Sequence, residues 1–224
     1  MDTVSFSDLA RAAYCPRQLY YARKSDDRSL PADATARIEL AFRYRELLAA
    51  PNRVTEVPVD VSVETYRHRL ESLRDRPWWP AIAEPDRTEV FLSGRDCHGV
   101  ATKILEPTQL PASDTAVPTI ATPGAPPESG VWEPQSVRAV AVALALSWER
   151  EQSIDRCLVE YPAHGVVREV RLTVRRKATY RRTLRAVRSM DGPPPRVDDD
   201  RCTSCSYRDT CGVRTRSLSS LLGL

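Results

Sequence analysis

The sequence predicts an α/β fold in which a mixed sheet is flanked by helices, and three observations predict it. Short segments that alternate apolar and polar residues occur in pairs separated by turn residues, which is typical of β-hairpins. Longer segments with apolar residues three or four positions apart lie before, between and after these pairs, and they indicate helices. The chain has 224 residues, of which 42% are hydrophobic. It is long enough for one substantial core and short for two, so we expect a single domain over residues 1–224.

The first fifty residues are predicted to be helical. Ser5 or Ser7 caps a first helix, and Pro16 ends that helix and begins a second one. A longer helix is expected from Asp33 to about residue 50. Cys15 is thus predicted to lie at the corner between the first two helices.

The middle of the chain combines strands with one charged surface helix. The predicted strands cover residues 54–61, 89–92 and 99–105, and the last two form a hairpin around Ser93-Gly94. The charged helix covers residues 64–76. Residues 107–131 contain six prolines and are predicted to form a loop, with one short strand at 117–120.

The last third predicts a buried helix, a hairpin and a basic helix. Pro134 begins the buried helix, which runs to about residue 150 and is apolar on most sides. Strands 157–161 and 167–175 form the hairpin, and the basic helix covers residues 178–190.

A strongly basic stretch extends from Arg168 to Arg188, although the net charge of the chain is only +3. This stretch has nine basic residues and one acid. Arginine suits bidentate contacts with phosphate, so we expect the stretch to bind DNA; the alternative is a charged face that only keeps the helix solvated. The candidate DNA-binding residues are Arg175, Arg176, Arg181, Arg182 and Arg185.

Three cysteines, Cys202, Cys205 and Cys211, follow a segment rich in proline and aspartate. Three thiols do not complete a four-coordinate metal or cluster site, so a fourth donor is needed, and Cys15 is the best candidate. The N-terminal part, residues 1–50, and the C-terminal segment, residues 196–224, would then share one centre. The remaining two cysteines are expected to be ordinary buried thiols.

Such thiols could hold an iron–sulfur cluster or a structural zinc ion, or they could be redox-active or idle. The chain opens without the charged and apolar regions of a signal peptide, so we expect a cytoplasmic protein without structural disulfides. It has no long apolar run, which excludes a membrane-spanning helix.

The segment Leu9–Tyr21, reading LARAAYCPRQLYY, and the late Cys-x-x-Cys-x5-Cys pattern resemble one known family. It is the CRISPR-associated iron–sulfur exonuclease family, the fourth Cas protein, which has the fold of RecB-like PD-(D/E)XK nucleases. The resemblance implies a 4Fe-4S cluster bound by Cys15, Cys202, Cys205 and Cys211. It also implies Mg²⁺- or Mn²⁺-dependent cleavage of DNA from an end, and action with a CRISPR integrase complex.

The nuclease motif positions depart from that family pattern. Tyr44 stands where a histidine is expected, and Thr102 where an aspartate is expected. Residues 106–133 contain no Glu-x-Lys, and Gln135 remains from a Gln and Tyr pair whose Tyr position holds Ala139. Carboxylates are the usual ligands of a catalytic divalent cation, so these departures predict weakened or lost cleavage.

Three interpretations therefore stay open. The first is an iron–sulfur DNA-binding adaptor that acts in DNA processing or spacer acquisition. The second is an active single-stranded DNA exonuclease that holds Mg²⁺ or Mn²⁺ with other carboxylates, for which Glu89, Asp96 and Glu128 are candidates. The third is a binding module held together by Zn²⁺.

Overall fold

A computed structural model describes residues 3–25, 30–110, 113–196, 200–203 and 205–211. The strands in these ranges are β1 (Val4–Ser5), β2 (Arg87–Ser93), β3 (Cys97–Leu105), β4 (Val117–Ala121), β5 (Arg156–Tyr161) and β6 (Val166–Arg171). The helices in these ranges are α1 (Phe6–Tyr14), α2 (Pro16–Ser25), α3 (Ala32–Glu39), α4 (Tyr44–Ala49), α5 (Val63–Arg74), α6 (Trp79–Ala83), α7 (Glu133–Arg150) and α8 (Val174–Arg188). Of the predicted C-terminal segment, residues 197–199, 204 and 212–224 lie outside the described ranges.

The strands form one mixed sheet, as predicted. Its order is β1-β3-β4-β5-β6, and β2 pairs antiparallel with β3 along most of that strand. Strands β4 and β5 are parallel, and α7 makes the crossover that a parallel pair requires. The strand at 117–120, predicted inside the proline-rich loop, is β4, and all of its residues are buried in the centre of the sheet.

Helices cover both faces of the sheet, which agrees with the predicted α/β class. Helices α1, α7 and α8 pack on one face around a core that includes Leu9, Val140 and Leu184. The segment from α3 to α6 packs on the other face around a second core that includes Tyr66 and Leu70. The sheet is thus the middle of three layers, and residues at its centre are shielded from both sides.

Several local predictions are confirmed. Ser5 caps α1, because its hydroxyl accepts a hydrogen bond from the Asp8 backbone amide at 3.0 Å. The hairpin around Ser93-Gly94 forms between β2 and β3, and the helix predicted from Pro134 begins one residue earlier. Cys97 and Cys157 are buried, as expected.

Three local predictions are wrong. Residues 54–61 do not form a strand. A 3-10 helix covers Pro51–Glu56, and the valines after it pack against the second core without pairing with a strand. Pro58 has no amide hydrogen and could not donate to a neighbouring strand. The helix predicted from Asp33 is interrupted after α3 by a 3-10 turn. Strand β6 ends at Arg171, four residues early, because Thr173 caps α8 by accepting a hydrogen bond from the Arg176 amide at 3.3 Å.

Among the described residues, no helix combines the length and the hydrophobicity needed to cross a membrane.

Candidate nucleic-acid groove and cysteine centre

Cys15 lies at the corner between α1 and α2, as the sequence predicts. Its backbone amide donates to the carbonyl of Arg11 at 2.9 Å, and its carbonyl accepts from the amide of Leu19 at 3.2 Å. The residue therefore completes the hydrogen bonding of both helices. Pro16 lacks an amide hydrogen, which suits the first position of α2 and stops α1 from continuing. The side chain of Cys15 is consequently held between two rigid elements.

The four predicted cysteines line one small cavity of about 20 Å³. Cys15 comes from the helix corner, and Cys202, Cys205 and Cys211 come from the C-terminal segment. The amide of Gln18 donates to the sulfur of Cys205 over 3.8 Å, so α2 also reaches this segment. Within the described ranges, no group of three or more His, Cys, Asp or Glu side chains is close enough to hold a single metal ion. The four cysteines thus share one cavity.

Contacts between rings and guanidinium groups tie the C-terminal segment to the first two helices. The rings of Tyr21 and Tyr207 stack with centroids 6.1 Å apart. Arg201 donates to the carbonyl of Tyr14 at 2.6 Å and lies over its ring at 5.6 Å. The residues immediately before Cys15 and before Cys202 therefore contact each other directly.

Positive charge lies beside the cysteine cavity. Arg17 and Arg208 both line it, and Arg17 also donates to the carbonyl of Pro194 at 2.7 Å. Burial opposes the charge on Arg17, but its hydrogen bonds to Tyr21 and Cys211 outweigh burial and raise the pKa of this guanidinium. Cysteine-bound metal centres carry net negative charge because their thiols are deprotonated, so these arginines suit such a centre electrostatically.

The centre of the sheet holds a closed ion pair between Lys103 on β3 and Glu160 on β5, both fully buried. The Lys103 ammonium donates to Glu160 Oε2 at 2.8 Å, to the carbonyl of Ala41 at 2.6 Å and to that of Ile82 at 3.0 Å. Thr119 on β4 donates to the other carboxylate oxygen at 2.5 Å. An ammonium group has three donors, so Lys103 has none left for a ligand. Burial lowers the pKa of Lys103, and the Glu160 carboxylate offsets part of that effect.

Tyr44 belongs to this ion-pair network and lies far from solvent. Its ring centroid is 4.8 Å from the Lys103 ammonium, a cation–π contact, and it stacks on Trp79 at 6.4 Å. Burial is the main cause that raises the pKa of Tyr44 well above its usual value, and the negative charge of Glu160 adds to it. At the position where the family pattern has a histidine, this chain has a neutral ring that packs against a cation.

Thr102 serves the backbone of the sheet. Its hydroxyl accepts a hydrogen bond from the amide of Ala121 on β4 at 2.8 Å, in place of a regular ladder contact. The neighbouring strand is distorted at the same level: Glu89 lies between the ladder pairs on either side and has a φ of 49°, in the left-handed region. The structure thus uses Thr102 to join β3 and β4 where the sheet is irregular.

Gln135 lies on α7 and lines a groove of about 800 Å³ between α1, the start of α7 and Arg201. We call this the central groove; besides these residues, its wall includes Arg11, Tyr14, Trp132 and Arg138. Among the described residues, three arginines and one acid, Glu133, line it. The central groove is therefore electropositive, which favours an anionic ligand.

Several polar atoms at the central groove have no partner among the described residues. Gln135 donates to the Thr122 hydroxyl at 3.4 Å, but its carbonyl oxygen is buried without a hydrogen bond. Arg138 donates to the carbonyl of Ala121 at 3.4 Å, while its Nε is buried without an acceptor. Burial lowers the pKa of Arg138, because its charge is poorly compensated. Buried polar groups usually have partners, so these two atoms leave room for a ligand contact, although seven other buried polar atoms of the described residues also lack one.

The five candidate arginines all lie on α8, and three of them line depressions beside the central groove. Arg175 and Arg176 border a space of about 500 Å³, and Arg182 borders another of about 330 Å³. Both spaces share Glu133 with the central groove. Arg181 and Arg185 are exposed on the same helix. The basic helix therefore extends the electropositive surface away from the central groove.

The alternative acids are separate from one another. Asp96 forms an ion pair with Arg188 at 2.9 Å, which engages a carboxylate oxygen. Glu89 lies exposed on β2, and the backbone carbonyl of Glu128 accepts from Arg168 at 3.3 Å. In the described part of the chain they form no acidic cluster of the kind that holds a divalent cation.

Sequence reasoning missed the Lys103–Glu160 pair and the wall of the central groove. The one signal for the first was a single lysine inside an otherwise apolar strand, since buried lysine almost always has a partner. The partner itself could not be identified, because Glu160 is 57 positions away. For the wall of the central groove, the signal in the sequence was Trp132, a tryptophan just before the helix that Pro134 was predicted to begin.

Comparison with known proteins gives little further information. No protein-family model matches this chain, and no curated protein matches it either. Among solved structures, the chain is similar to the crystal structure of SSO0001, with 13% sequence identity and a TM-score of 0.44. The match covers 96% of this chain and 88% of that chain.

Proposed function

We propose that this chain is an iron–sulfur DNA-binding protein of the CRISPR-associated RecB-like exonuclease type that has weakened or lost its nuclease chemistry. The observation that carries the proposal is the central groove. It is lined by three arginines, two of its buried polar atoms have no partner in the described residues, and Tyr14 and Arg201 in its wall precede two of the four cysteines in the chain. Such a groove suits the backbone of a nucleic acid, whose phosphates contribute much of the binding free energy.

We favour a cluster over a single zinc ion, because a zinc ribbon would repeat the Cys-x-x-Cys spacing and this chain has Cys-x5-Cys instead. Four thiolates bound to one Zn²⁺ at about 2.3 Å would lie only about 3.8 Å apart in a tetrahedron. All four cysteines line the same cavity. In a 4Fe-4S cluster each thiolate binds a different iron atom, so the four sulfurs are more widely separated. Bound there, the cluster would join the helix corner at Cys15 to the C-terminal segment.

The residues at two of the nuclease motif positions, Tyr44 and Thr102, support the loss of cleavage. Metal-assisted cleavage of a phosphodiester needs carboxylate ligands that are open to a cation and to the substrate. Thr102 and Tyr44 are engaged in contacts within the protein. Glu160, the carboxylate whose charge acts on Tyr44, is paired with Lys103. What remains at the central groove is binding chemistry, which suits an adaptor that holds DNA while an integrase complex processes it.

The test combines cofactor analysis with a nuclease assay on the same preparation. Protein purified without oxygen should show a visible absorption band together with iron and acid-labile sulfide; zinc without this band would support the zinc-stabilised module instead. This protein should bind end-labelled single-stranded DNA and leave its length unchanged in Mn²⁺. Shortening that EDTA abolishes, and that follows the protein through successive purification steps, would establish the active exonuclease and overturn the adaptor.

A further inference from the structure

An exposed aromatic side chain, that of Trp132, lies at the edge of the central groove. Trp132 is 53% exposed, although it immediately precedes the buried helix α7. Its indole nitrogen donates to the carbonyl of Ala125 at 2.9 Å. The ring is therefore held in one orientation by the loop before α7 and keeps a free surface toward solvent.

The surroundings of Trp132 combine aromatic and basic groups. Tyr14 lines the same groove, and its ring already carries the guanidinium of Arg201. Arg138 lies further along α7 and also lines the groove. Burial lowers the pKa of its guanidinium, and an anionic partner would stabilise the charged form. An aromatic ring beside cationic side chains is the combination that binds an unpaired strand, because the ring stacks on a base while the cations contact phosphate.

We propose that Trp132 is a base-stacking residue, which makes the central groove selective for single-stranded over double-stranded nucleic acid. This inference rests on the proposed function and specifies the form of the ligand. In a duplex each base is already stacked on its neighbours and its faces are covered, so the Trp132 ring gains no contact there. The arginines attract both forms through their phosphates. The discrimination therefore comes from the ring and not from charge.

The chain offers a matched control on the same helix. Trp148 is 57% exposed near the C-terminal end of α7 and lines a different cavity, together with Arg95 and Tyr180. It is similar to Trp132 in type and exposure but lies outside the central groove. Trp148→Ala removes the same amount of aromatic surface from the chain without changing the groove.

The experiment measures the fluorescence anisotropy of labelled oligothymidine and of a labelled duplex of equal length, at one salt concentration. Trp132→Ala should weaken binding of the single strand about tenfold. It should change the affinity for the duplex less than about twofold, and Trp132→Phe should recover most of the loss because a phenyl ring also stacks. Trp148→Ala should leave both affinities unchanged. An oligonucleotide with abasic sites should bind Trp132→Ala and the wild type equally, since no base remains to stack.

The outcomes separate this inference from the proposed function. If the wild type binds neither DNA at low salt, the proposed function fails and the inference fails with it. If the wild type binds DNA and Trp132→Ala retains the wild-type affinity for the single strand, only the stacking role is overturned. Equal losses for single strand and duplex, with an unchanged circular dichroism spectrum, would also overturn it, because a stacking residue discriminates between the two.

Discussion

Two polar regions of this protein differ in how their hydrogen bonds are completed. At the centre of the sheet, the Lys103 ammonium uses all three of its donors within the chain, and Glu160 accepts from Lys103 and Thr119. At the central groove, Gln135 and Arg138 retain buried polar atoms without a partner in the described residues. The ammonium and carboxylate at the centre of the sheet are fully partnered, although the Tyr44 hydroxyl beside them is buried without a partner. The central groove differs chiefly in being open and lined by arginines, which suits an anionic ligand.

The two regions also lie on opposite sides of the sheet. The ion-pair network lies on the layer of α3 to α6 and is closed to solvent, while the central groove is open on the layer of α1, α7 and α8. On the side of α3 to α6, removing the partner of a charged group should lower the free energy of unfolding. On the side of α1, α7 and α8, replacing a charged group should affect ligand affinity far more than the free energy of unfolding.

The largest expected effect is on the closed network. Lys103→Met leaves Glu160 buried without a counter-charge, so it should lower the free energy of unfolding by about 3–5 kcal/mol. Urea denaturation measures this. Arg87→Met breaks the more exposed pair with Glu106 and should cost less than about 1 kcal/mol. The double variant Lys103→Met/Glu160→Met should regain most of the loss; a mild effect of Lys103→Met alone would show that the pair is not essential to the fold.

The cysteine centre should give the next largest effect on stability. Cys202→Ala should abolish stoichiometric iron and lower the free energy of unfolding by about 3 kcal/mol, because binding energy at a site shared by both ends of the chain becomes folding energy. In a chain of this size that corresponds to a fall in Tm of roughly 6–12 °C. Cys97→Ala is the control, since Cys97 is buried away from the cavity and should keep the iron content unchanged. An unchanged Tm and metal content in Cys202→Ala would contradict a shared centre.

Charge reversal on α8 should affect affinity and leave the fold intact. The triple variant Arg181→Glu, Arg182→Glu and Arg185→Glu should weaken DNA binding and flatten its salt dependence. The slope of log K against log salt should fall by about 0.7 for each phosphate of single-stranded DNA that the variant no longer neutralises. The matched control reverses three exposed arginines on or next to α5, in the opposite layer: Arg67, Arg74 and Arg76. Equal effects of the two triple variants would mean that α8 is only a solvated face.

The smallest effect concerns thiol reactivity. Burial raises the pKa of Cys97 to about 11, with the Tyr180 hydroxyl opposing part of the rise. The thiol is therefore protonated and unreactive at neutral pH in the folded protein, and it becomes reactive only as the pH rises toward that value. In metal-free folded protein, iodoacetamide at neutral pH should modify Cys205 and spare Cys97 and Cys157, as mass spectrometry can measure. Modification of Cys97 as fast as Cys205 would mean that the first core opens readily.

Sequence reasoning succeeds where the signal is local. Ser5 caps α1 through a residue three positions away, and Pro16 begins α2 through its own missing amide. Sequence reasoning fails where contacts with residues distant in sequence decide the secondary structure of a segment. The valines of residues 57–61 alternate as in a strand, but they pack against helices and find no ladder partner. The alternation of residues 167–175 predicts a strand through Arg175, whereas the cap at Thr173 already begins a helix.

The sequence by itself determined the class of fold, the helix corner at Cys15 and the basic character of α8, because these depend on periodicity, capping and composition within a few residues. Only the tertiary structure decided that Lys103 pairs with Glu160 across the sheet, and that Tyr14 meets Arg201 from 187 positions away to form one wall of the central groove. The physical reason is that burial and pairing of a charge depend on which elements pack together. A single lysine or tryptophan in the sequence does not contain that information.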